Sequence, residues 1–164
     1  MTHPWLIPDD GFVDPAPSNF VIDEREEGRG KAVYSTVAFT RGDLVAKFAG
    51  TVLPYRTQHT LQLNSELHLL DVHFVGFLAH SCSPNVAVDM QTSEVWALQD
   101  IRPGDALEMD YAATEDVLFK QFACGCSSPA CRRWISGRKE PANEEGKALL
   151  QSTSQFGQMH GRRS

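Results

Sequence analysis

No run of about 18 apolar residues occurs in this chain of 164 residues, so no segment is built to cross a membrane as a helix. The N-terminus, Met1-Thr2-His3-Pro4-Trp5, lacks the basic stretch followed by an apolar one that marks a secretory signal. Positive charge is also short: 15 Lys and Arg against 21 Asp and Glu give a formal net charge of −6. The basic face that grips nucleic acid is therefore not expected, and neither is direct nucleic-acid binding, whereas an acidic surface is compatible with a basic peptide or tail. There is no internal repeat and no long low-complexity tract. Cysteine is sparse, four residues in all. Without signal or span, the cytoplasm or nucleus is the default location, where thiols stay reduced. Four thiols there point to metal ligands or free cysteines rather than to two disulfides.

The length fits one domain with a real core. Residues 1–19 carry Pro4, Pro8, Pro15 and Pro17 and read as an N-terminal arm without regular structure. Short β-prone runs then follow, parted by Gly, Pro and charge: Phe20 to Asp23, Ala32 to Ser35, Leu44 to Phe48 and Thr51 to Leu53. Asn85 to Asp89 and Glu94 to Leu98 read as a hairpin across Met90 to Ser93, and Ala106 to Met109 as another strand. A short helix is expected within Tyr55 to Ser65, and a second at Asn143 to Gln151, where Asn143 caps and Glu144 and Glu145 occupy the first turn. The last dozen residues are expected to lack order. The pattern is that of a mostly β body.

All four cysteines lie in two segments, Ala79-His80-Ser81-Cys82-Ser83-Pro84-Asn85 and Cys124-Gly125-Cys126-x4-Cys131. Four thiols are what one closed tetrahedral zinc site requires. Cys124 and Cys126 are a tight pair for one metal, and Gly125 between them lets the backbone fold closely. Cys82 taken alone also reads as a small buried hydrophobe.

These segments resemble the SET-domain protein-lysine methyltransferases, from roughly residue 28 to residue 135. The central Asn-His-Ser-Cys-x-Pro-Asn motif of that family corresponds to Ala79 through Asn85, and its Gly-(Glu/Asp)-x-Leu-x-x-Asp-Tyr motif to Gly104 through Tyr111. Its cofactor turn is similar to Gly30-Lys31-Ala32-Val33-Tyr34-Ser35, and its post-SET zinc motif to Cys124, Cys126 and Cys131 followed by Arg132. The resemblance implies a SET-domain fold, a β-clip-like set of small curved sheets with a pseudoknot, plus a C-terminal post-SET zinc loop. The implied division is an arm at 1–19, the SET domain at 20–119, the post-SET segment at 120–136 and a polar tail at 137–164. It further implies S-adenosyl-L-methionine as methyl donor and a structural Zn2+ on Cys82, Cys124, Cys126 and Cys131. Arg29, Gly30, Lys31, Ala79, His80, Tyr111 and Trp134 become the implied cofactor contacts, with Tyr34 and Met109 in the substrate channel. Trp134 and Tyr34 each have an alternative reading as core aromatics, and His80 one as a structural hydrogen-bonding histidine.

Tyr111 is the implied catalytic residue. Methyl transfer to an amine is a direct displacement that needs a neutral lone pair held in line. A tyrosine with an ordinary pKa near 10 is a poor base at neutrality, so the expected role is orientation and electrostatic support. The expected substrate is a lysine in a protein or peptide, a histone or other basic tail.

The chain departs from the family at Ala79, where the usual Asn amide helps hold the cofactor and tie strands together. Met109 stands where Phe or Tyr is common, which permits more than one methyl to be added. The segment from Pro54 to Phe77 is short, so a partner or a second copy of the chain is the expected means of completing the substrate wall. Two other readings follow: a catalytically weak SET-like module for cofactor or protein binding, and an unrelated zinc-binding interaction module.

Overall fold

The computed structural model describes residues 17–160. Most of the expected arm lies outside these residues; its last three, Pro17–Asn19, form a single 3-10 turn. Strand β1 (Phe20–Glu24) pairs antiparallel with β2 (Lys31–Ser35), and Phe20 and Ile22 turn inward while Val21 and Asp23 face solvent. On its other side, β2 receives the N–H of Leu107 on the carbonyl of Val33 and the N–H of Gly104 on that of Ser35. That double cover is why Ala32, Val33 and Ser35 are all buried.

Strands β3 (Leu44–Lys47), β8 (Val86–Asp89) and β9 (Glu94–Ala97) form a sheet in the order β3-β9-β8, with the expected hairpin joining β8 and β9. Strands β4 (Thr51–Leu53), β5 (Thr60–Gln62) and β6 (His68–Leu70) form another, in the order β4-β6-β5. The core between these layers consists mainly of Val33, Val45, Leu78, Val86, Val95, Ile101 and Leu107. Burying each such side chain contributes about 1.5–3 kcal/mol.

Two further pairings bring distant motifs together. Strand β7 (Ala79–His80) runs parallel to β10 (Glu108–Met109), with Ala79 opposite Glu108 and His80 opposite Met109. Asn85 clamps this junction: its Nδ2 donates to the carbonyl of Ala106 at 2.8 Å and its Oδ1 accepts the N–H of Glu108 at 2.8 Å. Helix α1 (Tyr111–Thr114) begins directly after β10, capped by Asp110. Strand β11 (Phe122–Ala123) pairs with β12 (Trp134–Ile135), enclosing the three late cysteines.

The long helix α2 (Glu144–His160) starts where expected, with Asn143 Oδ1 accepting the N–H of Gly146 at 2.9 Å. It runs nine residues past the expected end at Gln151, well into the stretch expected to lack order. The hydroxyls of Ser152, Thr153 and Ser154 bond carbonyls three or four residues back instead of interrupting the helix. A second expectation fails at residues 55–65, which hold no helix. Thr60, Leu61 and Gln62 are buried as a strand on both faces, so they show no two-residue alternation to reveal them. The strand expected at 106–109 is confined to Glu108–Met109, while Ala106 makes an isolated bridge to Tyr34.

Candidate active site and metal centre

The β7–β10 junction forms the floor of a cavity of about 1020 Å3. Gly28 to Lys31 border one side and Arg56 to Leu61 another, with Tyr111, Glu115 and the Cys124-Gly125-Cys126 loop completing the wall. Gly30 adopts φ +78°, a left-handed conformation that glycine takes without steric cost. Of the residues singled out from sequence, Arg29, Gly30, Lys31, Ala79, His80, Met109 and Tyr111 all line this space.

Tyr34 and Trp134 do not. Tyr34 sits within β2, opposite Val21 and bridged to Ala106. Trp134, expected at the adenine or the channel mouth, is buried beneath α2 with its indole against Gly146, and its Nε1 donates to Gln121 Oε1 at 2.8 Å. The same Gln121 oxygen accepts the N–H of Asn143, so Trp134 belongs to the seat of the C-terminal helix.

Tyr111 donates its phenolic hydrogen to the carbonyl of Leu78 at 2.8 Å. Burial pushes its pKa up to about 12, so the phenol stays protonated at neutral pH. Its ring meets His80 edge-on at 5.1 Å and Phe122 at 5.9 Å, while His80 and Phe122 stand 5.6 Å apart. His80 Nδ1 accepts the backbone N–H of Tyr111 at 3.2 Å, which puts the imidazole proton on Nε2, 3.6 Å from Cys82 Sγ. Burial above all lowers the His80 pKa to about 4, so the ring is neutral in this role.

The ligand atoms of Cys82, Cys124, Cys126 and Cys131 all lie within 4.8 Å of one another, with Cys82 Sγ and Cys124 Sγ 3.9 Å apart. Zinc–sulfur bonds of about 2.3 Å in a tetrahedron put sulfurs roughly 3.8 Å apart, so the four thiols fit a zinc ion. Burial drives the Cys124 thiol far above its ordinary range. At Cys126 burial acts in the same direction but is outweighed by hydrogen bonds from Cys82, Ser128 and the neighbouring thiols, and the pKa falls to about 6. Thiols this close ionise together only around a cation. The cluster joins the middle of the chain to its C-terminal segment and holds Cys124 and Cys126 over the cavity.

Sequence reading missed the far wall of the cavity. Glu115 is buried, its Oε1 accepting the N–H of Gln62 at 2.8 Å and the Thr114 hydroxyl at 3.3 Å. Burial raises its carboxyl pKa despite those bonds and the charge of Arg56. Its position four residues after Tyr111 was the available signal, since that spacing returns a side chain to the same face of a helical turn. Arg56 carried no comparable signal.

No family model matches the chain. Over 110 residues it is 33% identical to "Methyltransferase flvH" of Aspergillus flavus, covering 65% of this chain and 61% of that protein. Over 155 residues it is 26% identical to a "Variant-silencing SET domain-containing protein" of Plasmodium falciparum, covering 75% of this chain and 6% of that protein. Thus the chain spans about three fifths of the first relative and a small part of the second.

Among solved structures, KRYPTONITE in complex with mCHG DNA and SAH superposes with a TM-score of 0.58 at 25% identity, over 71% of this chain and 28% of that one. A complex of KRYPTONITE with mCHH DNA, an H3(1-15) peptide and SAH gives 0.54 at 24% identity, over 71% and 29%. The methyltransferase domain of human histone-lysine N-methyltransferase SETMAR gives 0.54 at 17% identity, over 72% and 58%. These matches exclude an unrelated zinc-binding module. With its small curved sheets and its junction of β7 with β10, the chain has the SET-domain methyltransferase fold, and its four-cysteine cluster matches the post-SET zinc motif.

Proposed function

We propose that the chain transfers methyl groups from S-adenosyl-L-methionine to the side-chain amine of lysine in a protein substrate. The observation that carries this reading is the protonated phenol of Tyr111 on the wall of a large cavity overhung by the Cys124–Cys126 loop. The cavity has room for a nucleoside-sized ligand, and its lining combines apolar side chains such as Leu78 and Met109 with the polar residues Arg29, Lys31, His80 and Tyr111. Complexes of KRYPTONITE with SAH and with an H3 peptide support the ligand and substrate classes.

When bound, the cofactor supplies an electrophilic methyl group on sulfur. Arg29, Gly30 and Lys31 on one side and Ala79 and His80 on the floor would hold it. Tyr111 is not the base, because a phenol with a pKa near 12 stays protonated at neutral pH. It fixes the wall instead, through the bond to Leu78 and the edge contacts with His80 and Phe122.

A free lysine amine has a reference pKa of about 10.4, and apolar walls such as Leu78 and Met109 favour its neutral form. A second cavity of about 710 Å3 lies beside Leu63, Val88, Met90 and Trp96, and Thr114 borders both cavities. That arrangement supports substrate entry from the side of α1 opposite the donor. Buried Met109 brings no hydroxyl to restrict the pocket, so the reading includes products beyond the monomethyl state. Location in the cytoplasm or nucleus is part of the proposal; the structural observation is that no helix among the described residues is long and apolar enough to cross a membrane.

Ala79 favours the second reading, a SET-like module with weak turnover. Against it, Asn85 supplies two side-chain bonds that tie the motif strands together without an amide at position 79. A peptide-array methylation assay with wild type and Tyr111→Phe separates the two. Labelling of lysine peptides that falls by about 10- to 100-fold in the variant, as loss of a buried hydrogen bond implies, supports the enzyme. Absence of labelling by a zinc-loaded wild type that binds the cofactor supports the module.

A further inference from the structure

The segment after the last cysteine reads from sequence as a polar tail, yet residues 137–140 are bonded to the stretch that leads out of α1. The backbone N–H groups of Arg138 and Lys139 donate to the carbonyls of Glu115 and Asp116 at 3.0 and 2.9 Å. Gly137 allows this approach, because a Cβ there would collide with the Asp116 carbonyl. Glu140 Oε1 closes the turn, accepting the N–H groups of Gly137 at 2.7 Å and Leu118 at 2.9 Å. From this footing the Arg138 side chain reaches two acceptors at once: its Nε donates to Asp116 Oδ1 at 2.6 Å and its Nη1 to the carbonyl of Ala113 at 3.0 Å. Asp116 in turn is bound to β5, its N–H donating to Gln62 Oε1 at 2.7 Å and its Oδ2 accepting from Gln62 Nε2 at 2.9 Å.

Helix α1 needs such support. It is a single turn, Tyr111–Thr114, too short to be stable by itself, and its last carbonyls lack partners within the helix. Asp110 caps the start, and at the other end Arg138 supplies the donor for Ala113. The turn also stands between the two cavities: Thr114 borders both, Tyr111 the larger, and Ala113 and Arg138 the smaller. A shift of this turn therefore moves the Tyr111 phenol. We propose that Arg138 is a positioning residue for methyl transfer, holding α1 against β5 from the side of the smaller cavity so that Tyr111 keeps its bond to Leu78. The proposal rests on the reading of Tyr111 as part of the methyl-transfer site. The ion pair of Arg138 with Asp116, whose side chains are 48% and 18% exposed, is by itself a surface contact of small worth; the second arm of the fork, on the Ala113 carbonyl, is what ties it to the turn. Neither Arg138 nor Asp116 belongs to the motifs that carry the family resemblance.

The test uses the zinc-loaded chain with 3-fluorotyrosine in place of its three tyrosines, Tyr34, Tyr55 and Tyr111, so that fluorine NMR gives a signal for each. Tyr111→Phe assigns the signal of interest. In Arg138→Met that signal is expected to shift or broaden while the other two stay in place, which also shows that the variant is folded. Affinity for S-adenosyl-L-homocysteine is expected to be unchanged, because Arg138 borders only the smaller cavity. With a lysine peptide labelled by wild type, kcat is expected to fall by about 10- to 100-fold, the range for a small misplacement at a reacting centre, and KM to change less. Arg138→Lys keeps the charge but cannot span both acceptors, so its effect falls between. Lys139→Met takes a cation from Asp116 without touching α1, and the Tyr111 signal is expected to stay in place. A Tyr111 signal unmoved in Arg138→Met, an equal movement in Lys139→Met, or a moved signal with kcat unchanged overturns the proposal. If Arg138→Met does not fold, Arg138→Lys is judged by the same criteria. A wild type that binds S-adenosyl-L-homocysteine yet labels no peptide overturns the enzyme reading instead, and the fluorine signals alone then decide whether Arg138 holds the turn.

Discussion

The guanidinium of Arg132 donates to Asp110 Oδ1 at 2.6 Å, and the same carboxylate oxygen accepts the N–H of Ala112 at 3.1 Å, capping the helix that begins at Tyr111. The backbone N–H of Arg132 meanwhile donates to Cys82 Sγ at 3.4 Å. One residue thus connects the thiol cluster to the start of α1. The side chains of the pair are 42% and 28% exposed, so as an ion pair it is worth about 0–1 kcal/mol; its larger consequence is where it holds Tyr111.

Replacement of Asp110 by Ala removes cap and pair together. The expected loss is about 1 kcal/mol in denaturant unfolding, with kcat falling more than KM rises and zinc content unchanged. Arg132→Met leaves the cap in place, so a smaller stability loss and a smaller fall in kcat are expected.

Metal analysis of the purified chain is expected to find a single zinc, lost in Cys126→Ser. Chelation is expected to lower the thermal midpoint and expose the cavity together, because metal-binding free energy at such a site is folding free energy. A midpoint unmoved by chelator would remove the metal from the account.

Gly146→Ala separates two opposing effects. In a helix interior, alanine is favoured over glycine by about 1 kcal/mol. Here an added Cβ would collide with the buried Trp134 indole, and overpacking costs about 1–3 kcal/mol. Net destabilisation in chemical denaturation is expected, relieved when Trp134→Leu is added.

Stability is expected to depend on pH through Glu115. Burial raises its carboxyl pKa above the ordinary 4.5, so its contribution is fully present below that ordinary value and is lost as pH rises through the raised one. Glu115→Gln does not titrate. Urea unfolding from pH 4 to pH 8 should show the variant gaining on wild type as pH rises across this window. Parallel profiles would mean that the carboxyl is not desolvated.

Much of the site was legible because its chemistry sits in spaced motifs. The cysteines at 82, 124, 126 and 131 and the tyrosine at 111 come together as their order implied. The far wall was not legible, since Thr60, Leu61 and Gln62 are buried on both faces and show no alternation, and Arg56 stands in no recognisable pattern. Trp134 was ambiguous between cavity and core, and a glycine inside a helix, Gly146, was the unused sign of an aromatic packed against it. The end of α2 was misplaced because serine and threonine, usual signs of a loop, bond back to their own helix.

A crystal structure of the zinc-loaded chain grown with S-adenosyl-L-homocysteine tests the central claim most directly. Ligand density is expected in the cavity between Gly30 and His80, its sulfur facing Tyr111, with one ion shared by the sulfurs of Cys82, Cys124, Cys126 and Cys131. A cavity without ligand at saturating concentration, or a ligand bound away from Tyr111, would contradict it.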